Sequence, residues 1–264
     1  MRKREYRYIR AAVEIDILAF AFNEAIAKLD LLAAPSELDL SNPVSMTFFY
    51  HTQGNYYYSS GSTTASNGEL LLAIRLYERA LSAARTQQLS SEQASALVAL
   101  GNAQMILGTR ESDNDRLYSA VESFNQALLS LGKDIEASQS AAIQCSLGQT
   151  WSSLAFRQGT DDTYKKAEEA FHRSLEIYNP KQNPKEWEIA CSSLASLKAT
   201  RGLRLHDAKL LSEAIASYRT LLEFSDDSSV DIHSAIGSAY RNLGTVSNDR
   251  SCFENARHHA QIAV

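Results

Sequence analysis

Four stretches of this chain fall on one frame: QGNYYYSSGSTTASNGELLLAIRLYERAL (53–81), LGNAQMILGTRESDNDRLYSAVESFNQAL (100–128), LGQTWSSLAFRQGTDDTYKKAEEAFHRSL (147–175) and LASLKATRGLRLHDAKLLSEAIASYRTLL (194–222). Their starts lie 47 residues apart and no gap is needed. A fifth stretch opens with IGSAYRNLG at 236, 42 residues further on, and occupies 236–264. A self-similar period of this length limits the fold to a stacked array. One unit cannot bury its own apolar face, so neighbours must cover it.

Small and large residues recur at fixed places within the frame. Gly54, Gly101, Gly148, Ala195 and Gly237 form one column, and Gly61, Gly108, Ala155, Gly202 and Gly244 a second. Ala73, Ala120, Ala167, Ala214 and Ala256 form a third, and Tyr77, Phe124, Phe171 and Tyr218 a fourth. The first two columns hold 8 of the 11 glycines, so glycine here serves packing and not loops. Small residues let two helix backbones approach, and the ring fills the space between successive pairs. Each unit reads as two helices, the second with apolar residues at i, i+4 and i+7, as in Ala120, Phe124 and Ala127. Asn183-Pro184-Lys185-Glu186 and Asn42-Pro43 carry helix-start signals. Ser90 with Gln93, and Ser228 with Asp231, have the spacing of capping boxes, and second helices are expected to start after Asn67, Asn114 and Asp161.

Leu-Gly, a second small residue seven places on, then A-x3-[FY]-x2-[AS]-L resembles the tetratricopeptide repeat, over roughly 43–264. The resemblance implies an all-α fold: an α-solenoid of antiparallel helix pairs wound into a right-handed superhelix. The chain departs from the family in length. The ordinary unit has 34 residues, and here about seven extra residues separate the Leu-Gly column from the second-helix alanine. Two helical turns take about 7.2 residues. One added turn per helix keeps the inward faces in register, which predicts longer helices joined by a short connection. Residues 4–34 do not fit the frame and read as one long N-terminal helix, a cap or a degenerate unit. The organisation is thus 1–42, N-terminal helix and linker, and 43–264, an array of five helix pairs.

In the tetratricopeptide family the first helix of each pair lines a concave groove. Carried over, that places His51, Asn55 and Tyr58 in the groove, then Val98, Asn102 and Met105, then Cys145, Gln149 and Ser152. Ser192, Ser196 and Ala199 follow, then Ser234, Ser238 and Arg241. His51, Asn55, Tyr58, Val98, Asn102, Met105, Gln149, Ser152, Ser196 and Arg241 are the expected peptide- or protein-binding residues. The triple tyrosine divides: Tyr57 at a packing position shared with Trp151 and Tyr240, Tyr56 toward the partner helix, Tyr58 into the groove. The amides Asn55, Asn102 and Gln149 can pair with the backbone of an extended peptide. A clamp for a C-terminal carboxylate would need Lys or Arg where Val98, Cys145 and Ser192 stand, so that ligand is disfavoured. The expected function is a non-catalytic scaffold holding a peptide or protein segment in the groove. A second reading makes it a structural or regulatory module that contacts partners, or a second copy, through the array ends. The C-terminal edge motivates it: HHAQIAV ends the chain with no extra solvating helix.

Composition bounds the rest. Hydrophobic residues make up 44% and charged residues 22%, which excludes a disordered chain. Net charge is −5, and MRKRE is the one basic cluster, so no nucleic-acid partner is expected. The apolar stretch AAVEIDILAFAF carries Glu14 and Asp16, which argues against a leader peptide, and no run approaches a membrane span. Cys145, Cys191 and Cys252 give neither a disulfide framework nor a zinc pattern, which points to a cytoplasmic setting. No HExxH, GxSxG, Walker or GxGxxG motif is present, so no catalysis, cofactor or metal is expected. His258 and His259 read as surface residues. The acidic runs at 111–115 and 159–162 read as helix-start carboxylates.

Overall fold

The computed structural model describes residues 24, 26–29, 43–132, 136–224 and 230–263. The described residues form no strand. Ten long helices run in order: α1 (Pro43–Thr63), α2 (Asn67–Thr86), α3 (Ser90–Glu111), α4 (Asn114–Leu131), α5 (Ala137–Gln158), α6 (Asp161–Leu175), α7 (Pro184–Leu205), α8 (Ala208–Phe224), α9 (Val230–Ser247) and α10 (Arg250–Ile262). They pack as five antiparallel pairs, α1 with α2 through to α9 with α10. The chain divides into two compact units, Met1–Ile135 and Glu136–Val264. The long helix expected over 4–34 lies outside the described residues, save that 26–29 is helical with Ile26 and Leu29 buried.

The first helices have 21 or 22 residues in the first four pairs. The connection within each pair is two or three residues long. The surplus over the ordinary repeat has gone into helix, as the spacing predicts. Each connection is built alike. Ala65, Ser112, Gly159, His206 and Asn248 occupy the left-handed region, at φ between 53° and 66°. The next residue caps the second helix. Ser66 accepts the N–H of Glu69, Asp113 that of Arg116, and Thr160 that of Thr163. Asp207 accepts the N–H groups of Lys209 and Leu210, and Asp249 that of Ser251. Each satisfies donors that the helix start leaves without partners. Second helices therefore begin at Asn67, Asn114 and Asp161 themselves, one residue before the expected start. Ser90 is not a cap: Leu89 holds that place, and Gln93 donates instead to the Ala84 carbonyl. Asn183 and Pro184 mark the start of α7, yet the Asn183 side chain makes no capping bond. Asn42 and Ser228 lie outside the described residues.

The four columns meet in space. A Cβ added to Gly54 would stand 2.6 Å from the Tyr77 ring, one on Gly101 2.8 Å from Phe124, and one on Gly148 2.6 Å from Phe171. The ring of the second helix thus lies directly on the backbone of the first. Gly61, Gly108 and Gly202 act near the connection, where an added Cβ would meet backbone atoms of the connection or second helix at 3.0–3.1 Å. Gly101, Gly148, Phe124 and Phe171 are buried throughout.

Neighbouring pairs within a unit are joined mainly where the second helix of one packs on the first helix of the next, α2 on α3, α6 on α7 and α8 on α9, and more lightly between first helices. In the first unit α1 packs on α3, and α2 packs on α3. In the second, α5 packs on α7 and α7 on α9. Arginines reinforce these joints. Arg110 of α3 donates to the Gly61 and Ser62 carbonyls at the end of α1 (3.0 and 2.9 Å). Arg204, two periods later, donates to the Phe156 carbonyl at the end of α5 (2.9 Å). Each guanidinium satisfies orphan carbonyls at the negative end of a helix dipole. Arg201 of α7 ties to Asp161 (2.9 Å) and Glu168 (3.2 Å) of α6.

Candidate functional site

In the first unit, α1 and α3 lie side by side and present one wall. Six of the expected residues stand on these two helices, and two of them, His51 and Asn55, join a connected cluster. His51 is half-buried, with Nδ1 3.3 Å from Asn55 Nδ2 and Nε2 3.4 Å from the Ser95 hydroxyl on α3. The Tyr77 hydroxyl donates to Asn55 Oδ1 (2.9 Å), and the Tyr77 ring sits 5.7 Å from the His51 ring. Tyr58 is half-buried on α1. On α3, Val98, Asn102 and Met105 are half-buried beside Ser95. Among the described residues the Asn102 amide has no hydrogen-bond partner.

The electrostatics of this wall are those of neutral groups. Burial pulls the His51 imidazole below its usual pKa, only partly offset by its bond to Ser95, so the ring is neutral at pH 7. Burial raises the phenols of Tyr58 and Tyr77. No Asp, Glu, Lys or Arg occurs in α1. Such residues in α3 are Glu92, Arg110 and Glu111, all near its ends, and α5 has Arg157 alone. Charge collects instead on the second helices: Glu69, Arg75, Glu78, Arg79 and Arg85 on α2, with Asp115, Arg116 and Glu122 on α4.

In the second unit, Gln149 is half-buried on α5, and among the described residues its amide has no hydrogen-bond partner. The Ser152 hydroxyl is spent on its own helix, donating to the Gly148 carbonyl (2.7 Å). Ser196 is exposed on α7, and Arg241 is exposed on α9. Cys145, placed in the groove from sequence, is buried instead, and burial pushes its thiol up to about 11. Cys191 is likewise pushed up to about 11, so neither carries thiolate at neutral pH.

The amide ladder is thus divided by the ring column. In the first pair, where that column is tyrosine, its hydroxyl takes up the neighbouring Asn55. Where it is phenylalanine, in the second and third, Asn102 and Gln149 are left over. Sequence reasoning treated Tyr77 purely as packing and did not name Ser95. The tyrosine-for-phenylalanine exchange in the column was the signal for the first. Tyr56 also departs from expectation: it is exposed and rests edge-on against Tyr57 (5.0 Å, 90°), while Tyr57 is buried.

A second concavity lies on the opposite side of the first unit, between α2 and α4 over α3. It has a volume of ≈ 540 Å3, with Leu81, Leu97 and Leu100 at its floor and Arg85, Asp115 and Glu122 among its lining. At the C-terminal edge, α10 exposes Glu254, Asn255, Arg257, His258 and Gln261, with Phe253 and Ile262 as apolar members. No group of three or more metal-ligating side chains occurs among the described residues. No described helix is long and apolar enough to cross a membrane.

Solved structures share this arrangement. The MamA protein matches at 18% identity over 82% of this chain and 92% of that one, with a TM-score of 0.51. BtubC (BKLC) from P. vanneervenii matches at 18% identity over 95% and 91%, with a TM-score of 0.56. YrrB, a TPR protein with an unusual peptide-binding site, aligns at 16% identity over 87% and 97%, with a TM-score of 0.44. No protein-family model matches the chain, and no curated protein matches its sequence. The fold is an all-α, tetratricopeptide-like solenoid.

Proposed function

We propose that this protein is a non-catalytic scaffold that holds a peptide or protein segment of a partner against the wall of its first helices. The observation that carries this reading is the hydrogen-bonding character of the wall of α1 and α3, charged only near the ends of α3, where the Asn102 amide makes no hydrogen bond among the described residues beside Val98 and Met105. An amide offers one acceptor and two donors, the complement of a peptide backbone. Valine and methionine beside it supply apolar area, and methionine adapts to varied shapes. The Tyr77–Asn55–His51–Ser95 chain holds neighbouring polar groups in place, so less ordering entropy is lost on binding. The three free cysteines fit a reducing, cytoplasmic setting.

Affinity capture from the source cell tests the placement. Tyr58→Ala/Asn102→Ala/Met105→Ala is expected to lose the partner, and Glu78→Ala/Glu122→Ala on the second helices to keep it. Retention by the first variant and loss by the second would move binding to the opposite face.

A further inference from the structure

The last helix pair departs from the other four at one contact. Counting back by the repeat, His233 of α9 follows Tyr50, Leu97, Gln144 and Cys191 on the earlier first helices. His259 of α10 follows Leu76, Ser123, Ala170 and Ser217 on the second helices. Nothing at those earlier positions titrates near neutral pH. The ring column also fails here, with Ala260 where Tyr77 stands in the first pair. The second helix consequently comes close: a Cβ on Gly237 would lie 3.2 Å from the Ala256 carbonyl.

The two imidazoles meet edge to edge through their Nδ1 atoms. Nδ1 of His233 lies 2.8 Å from Nδ1 of His259, with ring centroids 5.1 Å apart and planes 29° from parallel. His233 is buried. Two ring nitrogens at that distance share one proton. One ring donates its Nδ1–H and the other must present a bare Nδ1. A first added proton can settle on the far nitrogen of the donor ring and leave the bond intact. A second has only the shared nitrogen to occupy. It turns the acceptor into a donor and sets two cations against each other.

Among the described residues, four groups face or adjoin the pair. From α9, Tyr240 stacks on His259 at 6.0 Å and 13°. From α8, Arg219 lies 5.6 Å from the Tyr240 ring and donates to its hydroxyl (2.6 Å). From α10 itself, His258 stands edge-on at 5.6 Å. From α7, Cys191 adjoins the apolar cluster of Tyr240. None of these is a carboxylate. Burial first, then His233, His258 and Arg219, hold His259 below its usual range. The helix has little else to keep it seated, since Cys252 is its one buried residue.

We infer that the His233–His259 pair makes α10 an acid-released element, seated on α9 at neutral pH and detached when both rings are protonated. The sign follows from linkage. The detached state, with its ordinary imidazoles near 6.5, binds more protons than the seated state. Seating is fully stabilised above about pH 6.5 and weakens as pH falls below it toward the lowered value. Detachment uncovers the α9 surface around Gly237 and Tyr240.

Amide hydrogen exchange on the full chain, corrected for intrinsic rates, tests this at about pH 7.5 and about pH 5. Protection across α10 is expected to fall several-fold relative to α5 and α6. His259→Phe keeps the stack on Tyr240 and cannot titrate, so its α10 protection is expected to hold at both values. Unchanged protection in the wild type, or an equal loss in His259→Phe, would overturn the inference. Proton NMR of the wild-type histidines gives an independent check: one ring of the pair titrates clearly below 6.5, and both titrating at 6.5 would overturn it as well.

Discussion

At the scale of single residues, the contact that defines each helix pair is a ring laid on a glycine. Gly148→Val would push a branched side chain into the space that Phe171 fills, since even a Cβ there stands 2.6 Å from the ring. The expected cost is about 1–3 kcal/mol in urea unfolding. In a Phe171→Leu background the same change should cost about 1 kcal/mol less, a coupling that contact implies and distant sites lack. Additive effects would mean that the two columns do not meet. Both columns were legible in the sequence because packing small against large fixes residue size at every repeat. The hydroxyl of Tyr77 was less legible. Its partner, Asn55, is 22 residues away and is identified only once the two helices are placed side by side. Cys145 was misplaced for a related reason. The family register puts it on the groove, while its small side chain lets the surrounding core close over it. His259 was assigned to the surface because it neighbours His258, yet one residue of helix turns it through about 100°, enough to face α9.

At the scale of the helix, the repeating connection is one left-handed residue followed by one capping residue. Asp113→Ala should destabilise the first unit by about 1 kcal/mol through the lost bond to the Arg116 N–H, measured by urea unfolding. Gly159→Ala should cost more than about 1 kcal/mol. Its φ of 66° disfavours a side chain, and a Cβ would run into the Arg204 guanidinium that grips the end of α5. An equal cost at Gly132, where an added Cβ meets nothing, would point to backbone conformation alone. Sequence reading found these connections but placed each cap one residue late. The reason is local: Ser66-Asn67, Asp113-Asn114 and Thr160-Asp161 each set two capping-type residues side by side. Only the backbone angles separate them. The extra length of the repeat was readable because two helical turns are nearly a whole number of residues.

At the scale of the whole molecule, charge is partitioned between first and second helices in the first three pairs and not in the fourth, where α7 carries Lys185, Glu186, Glu188, Lys198, Arg201 and Arg204. A partner bound on the uncharged wall should be held by hydrogen bonds and apolar burial. Its dissociation constant is expected to change less than about two-fold between low and high salt, because screening acts on charge pairs. A loss of about ten-fold or more would place it on the charged second helices. The C-terminal edge, considered from sequence as a site of self-association, is largely polar on α10. The measurement to make first is site-specific photo-crosslinking on the full chain in the source cell, with the crosslinker at Asn102 and, separately, at exposed Tyr118 on α4. Capture of one partner from position 102 and not from 118 is the expected result. Capture of that partner from 118 alone would contradict binding on the wall of the first helices.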